Sequence, residues 1–223
     1  MKKNYDVCLF DLDGTLIDSL CDLADSCNEA LTLFGLPTHD VDEYRFLVGS
    51  GIKNLIKKAM GESAADEQLS RSVFDKFNTI YGEKCLDATR PYDGITEMLE
   101  ALKASGVKIG ILSNKSDEFA KRIVDTLFDS SLIDLVYGKR EEFPVKPAPD
   151  SLYAMLSELD IADKSRCLYI GDSNVDVKTA LNGGVAFCGA QWGFRGREEL
   201  ENAGAEFIAE TADDITKHVL CGE

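Results

Sequence analysis

The sequence predicts an α/β fold, a doubly wound parallel sheet with a helical insertion near its start. Three observations predict it. Short apolar runs alternate with segments of helical period over most of the chain, and strands joined through helices pair in parallel by right-handed crossovers. The runs Val7-Cys8-Leu9-Phe10, Ile109-Gly110-Ile111-Leu112 and Cys167-Leu168-Tyr169-Ile170 contain no charged residue, as in strands covered on both faces. Between the first and second runs, roughly 70 residues carry helical period and no strand signal.

The first run is a buried strand that ends directly in Asp11-Leu12-Asp13-Gly14-Thr15. Two carboxylates two residues apart do not continue into packed core, so they meet a metal, a cation or water. Gly14 lets the backbone turn there. Leu20, Leu23, Ala24, Cys27, Ala30, Leu31 and Phe34 then form one helical face, with Asp18 or Ser19 as N-cap and Gly35 as stop. Ile52, Leu55, Ile56 and Ala59 form a second stripe, ending at Gly61, and Leu69, Val73, Phe77 and Ile80 a third. From Pro91 the expected elements are a helix over 96–105, a strand over 107–112, a helix over 117–127 and a short strand over 135–137. A helix over 151–159, the strand ending at Ile170, a helix over 175–181 and strands over 185–188 and 206–208 complete the series.

A formal net charge of -16 argues against nucleic acid and anionic membrane surfaces as partners. No apolar stretch approaches the roughly 20 residues of a membrane helix, and no signal-peptide core precedes the first strand, so a cytoplasmic location is expected. The seven cysteines contain no Cys-x-x-Cys pair, and several fall in core strands. They read as small buried hydrophobes of a reducing compartment.

Four polar clusters carry the chemistry: Asp11 to Thr15, Ser113-Asn114-Lys115, Val145-Lys146-Pro147-Ala148-Pro149, and Gly171-Asp172-Ser173-Asn174-Val175-Asp176. Singly they read as a turn, a helix N-cap, a solvated lysine and a first-turn helix acid. Three of them directly follow apolar strands, and in an open parallel sheet such ends share the edge where ligands bind. Their order and spacing resemble the haloacid dehalogenase (HAD) superfamily. Val48-Gly49-Ser50-Gly51, ahead of a cap helix, and Trp192-Gly193-Phe194, with Glu198-Glu199-Leu200 behind it, resemble its phosphoglycolate phosphatases.

That resemblance implies a Rossmann-like HAD core of residues 1–18 and 89–223 with the first strand central, and a helical cap domain of residues 19–88. It implies an Mg2+-dependent phosphatase acting through an aspartyl-phosphate, with a small-molecule phosphate ester as partner and a monomer or homodimer as the assembly. Asp11 would be the nucleophile and Asp13 the general acid and base. Asp11, Asp13 through its carbonyl, and Asp172 would hold the metal, with Asp176 acting through a metal-bound water or by orienting Lys146. Lys146, Ser113, the Asn114 amide and Thr15 would meet the phosphoryl group. Arg45 or Lys53, flanking the Val-Gly-Ser-Gly loop, is expected to meet a substrate carboxylate. A sugar phosphomutase of the β-phosphoglucomutase type, an inorganic pyrophosphatase and a non-catalytic phosphometabolite sensor are the alternatives. Gly49-Ser50-Gly51 lacks the mutase's Lys-Gly-x-Ser-Arg pattern, and none of the core residues that a sensor would have lost is missing.

Overall fold

A computed structural model describes residues 3–221. In chain order the strands are β1 (Val7–Phe10), β2 (Ile17–Asp18), β3 (Arg90–Pro91), β4 (Lys108–Ser116), β5 (Leu135–Lys139), β6 (Cys167–Gly171), β7 (Ala186–Ala190) and β8 (Ile208–Ala209). The helices are α1 (Leu20–Leu33), α2 (Tyr44–Leu47), α3 (Ile52–Met60), α4 (Glu67–Lys84), α5 (Ile95–Ala104), α6 (Asp117–Leu127), α7 (Asp150–Glu158), α8 (Asn174–Gly183), α9 (Gly196–Ala203) and α10 (Ala212–Leu220). Six strands form one sheet in the order β5-β4-β1-β6-β7-β8, and every ladder in it is parallel.

Alternation along the strands explains the two cores. Cys8, Phe10, Ile109, Ile111, Leu168 and Ile170 face one hydrophobic cluster, whereas Val7, Leu9, Leu112, Cys167 and Tyr169 face the other. Side chains of a strand point to opposite faces, so strands covered on both sides need apolar residues at every position. The first cluster continues past the sheet into the inserted helices through Leu31, Tyr44, Leu55 and Phe77. Tyr81 of α4 stacks on Phe77 and meets Phe119 of α6 edge-on, joining the insertion to the sheet-bearing part of the chain.

The chain enters and leaves the insertion as a hydrogen-bonded pair. Ile17 and Asp18 of β2 lie antiparallel to Pro91 and Arg90 of β3. Beside them, the buried Asp22 carboxylate accepts the N–H groups of Ala88 at 2.8 Å and Thr89 at 2.9 Å, and the Thr89 hydroxyl at 2.6 Å.

Several elements depart from expectation. The helix expected to include Phe34 stops at Leu33, and Phe34 is 39% exposed. The strand expected to end at Leu112 runs on to Ser116, with its register shifting after Leu112, so the second polar cluster sits within β4 rather than beyond it. Two-residue strands such as β2 and β3 are too short for any period to show. The α10 helix was not expected either, although Thr211 and Asp214 form a capping box at its start.

Candidate active site

Strand register gathers the site. Phe10 pairs with Ile111 on one side and Ile170 on the other, so Asp11, Ser113 and Asp172 emerge near one level of the sheet edge. One carboxylate oxygen each from Asp11, Asp172 and Asp176 lies within 4.8 Å of the others. Asp11 Oδ1 accepts the Leu12 N–H at 2.7 Å and lies 2.9 Å from Lys146 Nζ, while its Oδ2 has no protein donor among the described residues. Lys146 Nζ also donates to Asp176 Oδ1 at 2.7 Å and to the Tyr169 hydroxyl at 3.0 Å. The other oxygen of Asp176 accepts from Ser173 Oγ at 2.6 Å and from the Ser173 N–H at 3.2 Å, closing a capping box on α8. Asp176 is therefore fully engaged, and its effect is to aim Lys146 at Asp11. Asn114 fixes the lysine's backbone by accepting its N–H at 2.9 Å and donating to its carbonyl at 3.2 Å.

Asp172 is held from the far end of the chain. Its Oδ2 accepts the Phe194 N–H at 2.8 Å. A Cβ on Gly193 would sit 2.2 Å from the Asp172 Cβ and 2.3 Å from the Gly14 carbonyl oxygen, so only glycine lets this segment close on the carboxylate. Gly14 has φ +84, and a Cβ there would sit 2.4 Å from Asp172 Oδ2. Asp13 binds Lys115 Nζ through both oxygens, at 2.7 and 3.0 Å, and accepts from Ser19 Oγ at 2.5 Å. Lys115 Nζ in turn lies 5.0 Å from the centre of the Tyr81 ring. The cavity so formed measures about 40 Å³ and is walled by Asp11, Asp13 and Ser113 on the sheet side and by Val48, Gly49 and Ile52 on the insertion side.

Burial pushes the Asp11 carboxyl up to about 7, against the pull of Lys146. Burial also raises Asp172 well above the usual carboxylate range, with the charges of Asp176 and Asp11 adding to it. On Lys146 burial opposes the ammonium, but Asp11 and Asp176 outweigh it and keep it charged. Three clustered carboxylates thus face one ammonium, which leaves a formal deficit of two positive charges when all are ionised. A hard divalent cation that prefers oxygen ligands fits that donor set.

The shift sets a pH dependence. Folded Asp11 keeps a proton that the unfolded chain releases near the ordinary carboxylate value, so metal-free stability falls as pH rises from about 4 to about 7. Thermal melts should accordingly show Mg2+ raising the melting temperature by several degrees more at about pH 7.5 than at about pH 5. An equal gain at both would mean that the ion binds elsewhere.

Of the residues expected in the site, Asp11, Asp13, Ser113, Asn114 and Asp172 line the cavity. Lys146 and Asp176 are buried and do not line it, with the lysine between Asp11 at 2.9 Å and Asp176 at 2.7 Å. Thr15 is not on the wall: its hydroxyl points at Asp172 Oδ1 at 3.5 Å, and its carbonyl accepts from Trp192 Nε1 at 3.0 Å, which makes it a support for the carboxylate. Neither Arg45 nor Lys53 lines the cavity. Arg45 pairs with Asp42 at 3.3 Å, and Lys53 lies over the Phe74 ring. Among the described residues the cavity's own cations are Lys115 and Arg195, to neither of which the sequence motifs assign a role. Lys115 stood in view inside the second cluster, but its partner is 102 residues away.

The chain matches the family model described as haloacid dehalogenase-like hydrolase over residues 8–190. It is 32% identical over 211 residues to a phosphoglycolate phosphatase of Aquifex aeolicus, covering 95% of both chains. It is also 32% identical over 219 residues to a phosphoglycolate phosphatase of Colwellia psychrerythraea, covering 96% of both. A crystal structure of a predicted phosphoglycolate phosphatase from Haemophilus somnus 129pt superposes with a TM-score of 0.89 at 28% identity, covering 96% of this chain and 97% of that one. With the strand-end carboxylates, the buried lysine and the matched span all in agreement, the chain belongs to the haloacid dehalogenase-like hydrolases and is similar over nearly its whole length to their phosphoglycolate phosphatases.

Proposed function

We propose that this protein is an Mg2+-dependent phosphate monoester hydrolase that works through an aspartyl-phosphate on Asp11, with a small phosphometabolite such as 2-phosphoglycolate as substrate. The observation that carries the reading is the state of Asp11, a residue of the cavity wall: one oxygen is pinned by Lys146 and the Leu12 N–H, and the other has no protein donor among the described residues. An ionised carboxylate so held is a nucleophile that needs no proton removed. Its free oxygen attacks phosphorus as the ester P–O bond breaks, and Asp13, once released from its pairing with Lys115 and carrying the proton taken up in the preceding turnover, gives that proton to the departing alkoxide. Asp13 then takes a proton from the water that cleaves the acyl phosphate. The Ser113 hydroxyl donates to a phosphoryl oxygen, and Lys146 offsets the accumulating negative charge through Asp11. Asp11, Asp172 and the Asp13 carbonyl would hold Mg2+, which supplies further charge neutralisation when bound.

Residues 19–88 act as a cap on the core formed by 1–18 and 89–223, and the cap's share of the wall limits the leaving group. A cavity walled on the insertion side by Val48, Gly49 and Ile52 favours a short leaving group over a nucleotide. The relatives named as phosphoglycolate phosphatases support that choice. The test is phosphate release, with and without Mg2+, from 2-phosphoglycolate, hexose phosphates, pyrophosphate and p-nitrophenyl phosphate. Preference for hexose phosphates or pyrophosphate would defeat the substrate assignment and leave the phosphatase chemistry standing. Asp13→Asn should slow alkyl phosphates by about a hundredfold or more, and p-nitrophenyl phosphate much less, since an aryl oxide leaves without proton assistance. Equal losses on both would remove Asp13 from the acid role.

A further inference from the structure

Arg195 is a cavity cation left without a catalytic partner. Lys115 is taken up by Asp13 and Lys146 by Asp11 and Asp176. Arg195 belongs to the core, one residue beyond the Phe194 N–H that grips Asp172, so its backbone is tied to the carboxylate cluster. Its side chain nevertheless reaches the cap. Nη2 donates to the Val48 carbonyl at 2.9 Å and lies 3.4 Å from that of Phe46, and the guanidinium sits 5.5 Å from the centre of the Phe46 ring. A Cβ on Gly49, where φ is +114, would stand only 3.7 Å from Nη2. Arg195 therefore fastens the Val-Gly-Ser-Gly loop and is itself one of the residues that line the cavity.

The head retains unspent donors. Glu199 is the nearest acid, but its Oε2 is 3.6 Å from Nη1, and its Oε1 is committed to the Asn174 N–H and side-chain amide at 3.0 and 2.7 Å. Nε has no partner among the described residues. The cavity it lines also has an apolar share, contributed by Leu23, Ile52, Leu55 and Phe194. A half-answered guanidinium in a partly apolar cavity is an anion receptor, since its planar fork matches a carboxylate and the low dielectric strengthens the pair.

We propose that Arg195 is the specificity-determining residue of this site, reading a carboxylate on the leaving group while holding the cap loop closed over it. This rests on the phosphate-ester reading above and locates its substrate selectivity on the core rather than on Arg45 or Lys53. A residue that serves both contacts makes closure and recognition one event: an ester without the second anion leaves the guanidinium half-answered in a closing cavity.

The test compares 2-phosphoglycolate with ethyl phosphate, which has a methyl group in place of the carboxylate, in the Mg2+-loaded enzyme. Arg195→Met loses the latch for both esters, so both should slow. Its ratio of kcat/KM for 2-phosphoglycolate over ethyl phosphate should fall by roughly ten- to a hundredfold, the range for losing one charge-assisted contact. Arg195→Lys, which keeps charge but not the fork, should recover part of that ratio, and this pair with Arg195→Gln decides the matter if the Met variant does not fold. A ratio unchanged in Arg195→Met or Arg195→Gln would overturn the inference alone, showing a latch and nothing more. A wild-type enzyme that takes ethyl phosphate as readily as 2-phosphoglycolate would sink the substrate reading together with it.

Discussion

Asp11→Asn should abolish phosphate release, with a loss of about ten-thousandfold or more, because the variant retains the shape of the side chain and loses its nucleophilic charge. The fold should survive. Asn can still accept the Leu12 N–H and the Lys146 ammonium through its remaining oxygen. In metal-free buffer near neutral pH the variant should even melt higher than wild type, since burial works against the charge of Asp11 that it lacks. Beryllium fluoride should occupy the carboxylate of the native enzyme and leave the variant unlabelled. Turnover of the purified variant within tenfold of wild type would take the nucleophile role away from Asp11.

Lys146→Met should damage both stability and rate. The lysine is buried between Asp11 and Asp176, and its removal leaves two charges without a counter-charge in a dry site, at a cost of about 3–5 kcal/mol. Turnover should drop by about a hundred- to a thousandfold, the scale of losing one preorganised charge beside the nucleophile. Denaturant titration and steady-state rates measure the two effects separately. If stability falls and the rate does not, Lys146 is only a structural counter-ion. Added Mg2+ should restore more stability than rate, because a cation on Asp11 and Asp172 cannot replace the aim that Asp176 and Tyr169 give the ammonium.

The parts of the site legible in sequence are those where chain direction and chemistry change together. A strand that is apolar on both faces ends at the sheet edge, so the carboxylates directly after Phe10 and Gly171 are placed there by sequence alone. The parallel register then brings them together. What stayed hidden falls into two kinds. Backbone donors leave no residue signature: the Phe194 N–H binds Asp172, and only Gly193 beside it hints at close approach. Long-range partners leave none either, as with Lys115 and Asp13 or Arg195 and Val48. Arg45 and Lys53 looked suitable because they flank the cap loop, yet packing of α2 and α3 turns them to Asp42 and Phe74. The helical period gives each helix's buried face but not its position over the sheet.

The pairing of β2 with β3 bears on how such a protein could diversify. Chain departing at Asp18 and chain returning at Arg90 lie on hydrogen-bonded neighbours, a few ångströms apart, with Asp22 bracing the return at Ala88 and Thr89. Everything between them is in effect a cassette mounted on a fixed two-pin socket. Helices of another length or number could be spliced onto the same pins without shifting β1, and therefore without disturbing Asp11. Exchange of the inserted helices would replace the loop that Arg195 holds and the wall opposite Asp11, so the space offered to a leaving group could change while β1 and Asp11 stayed in place.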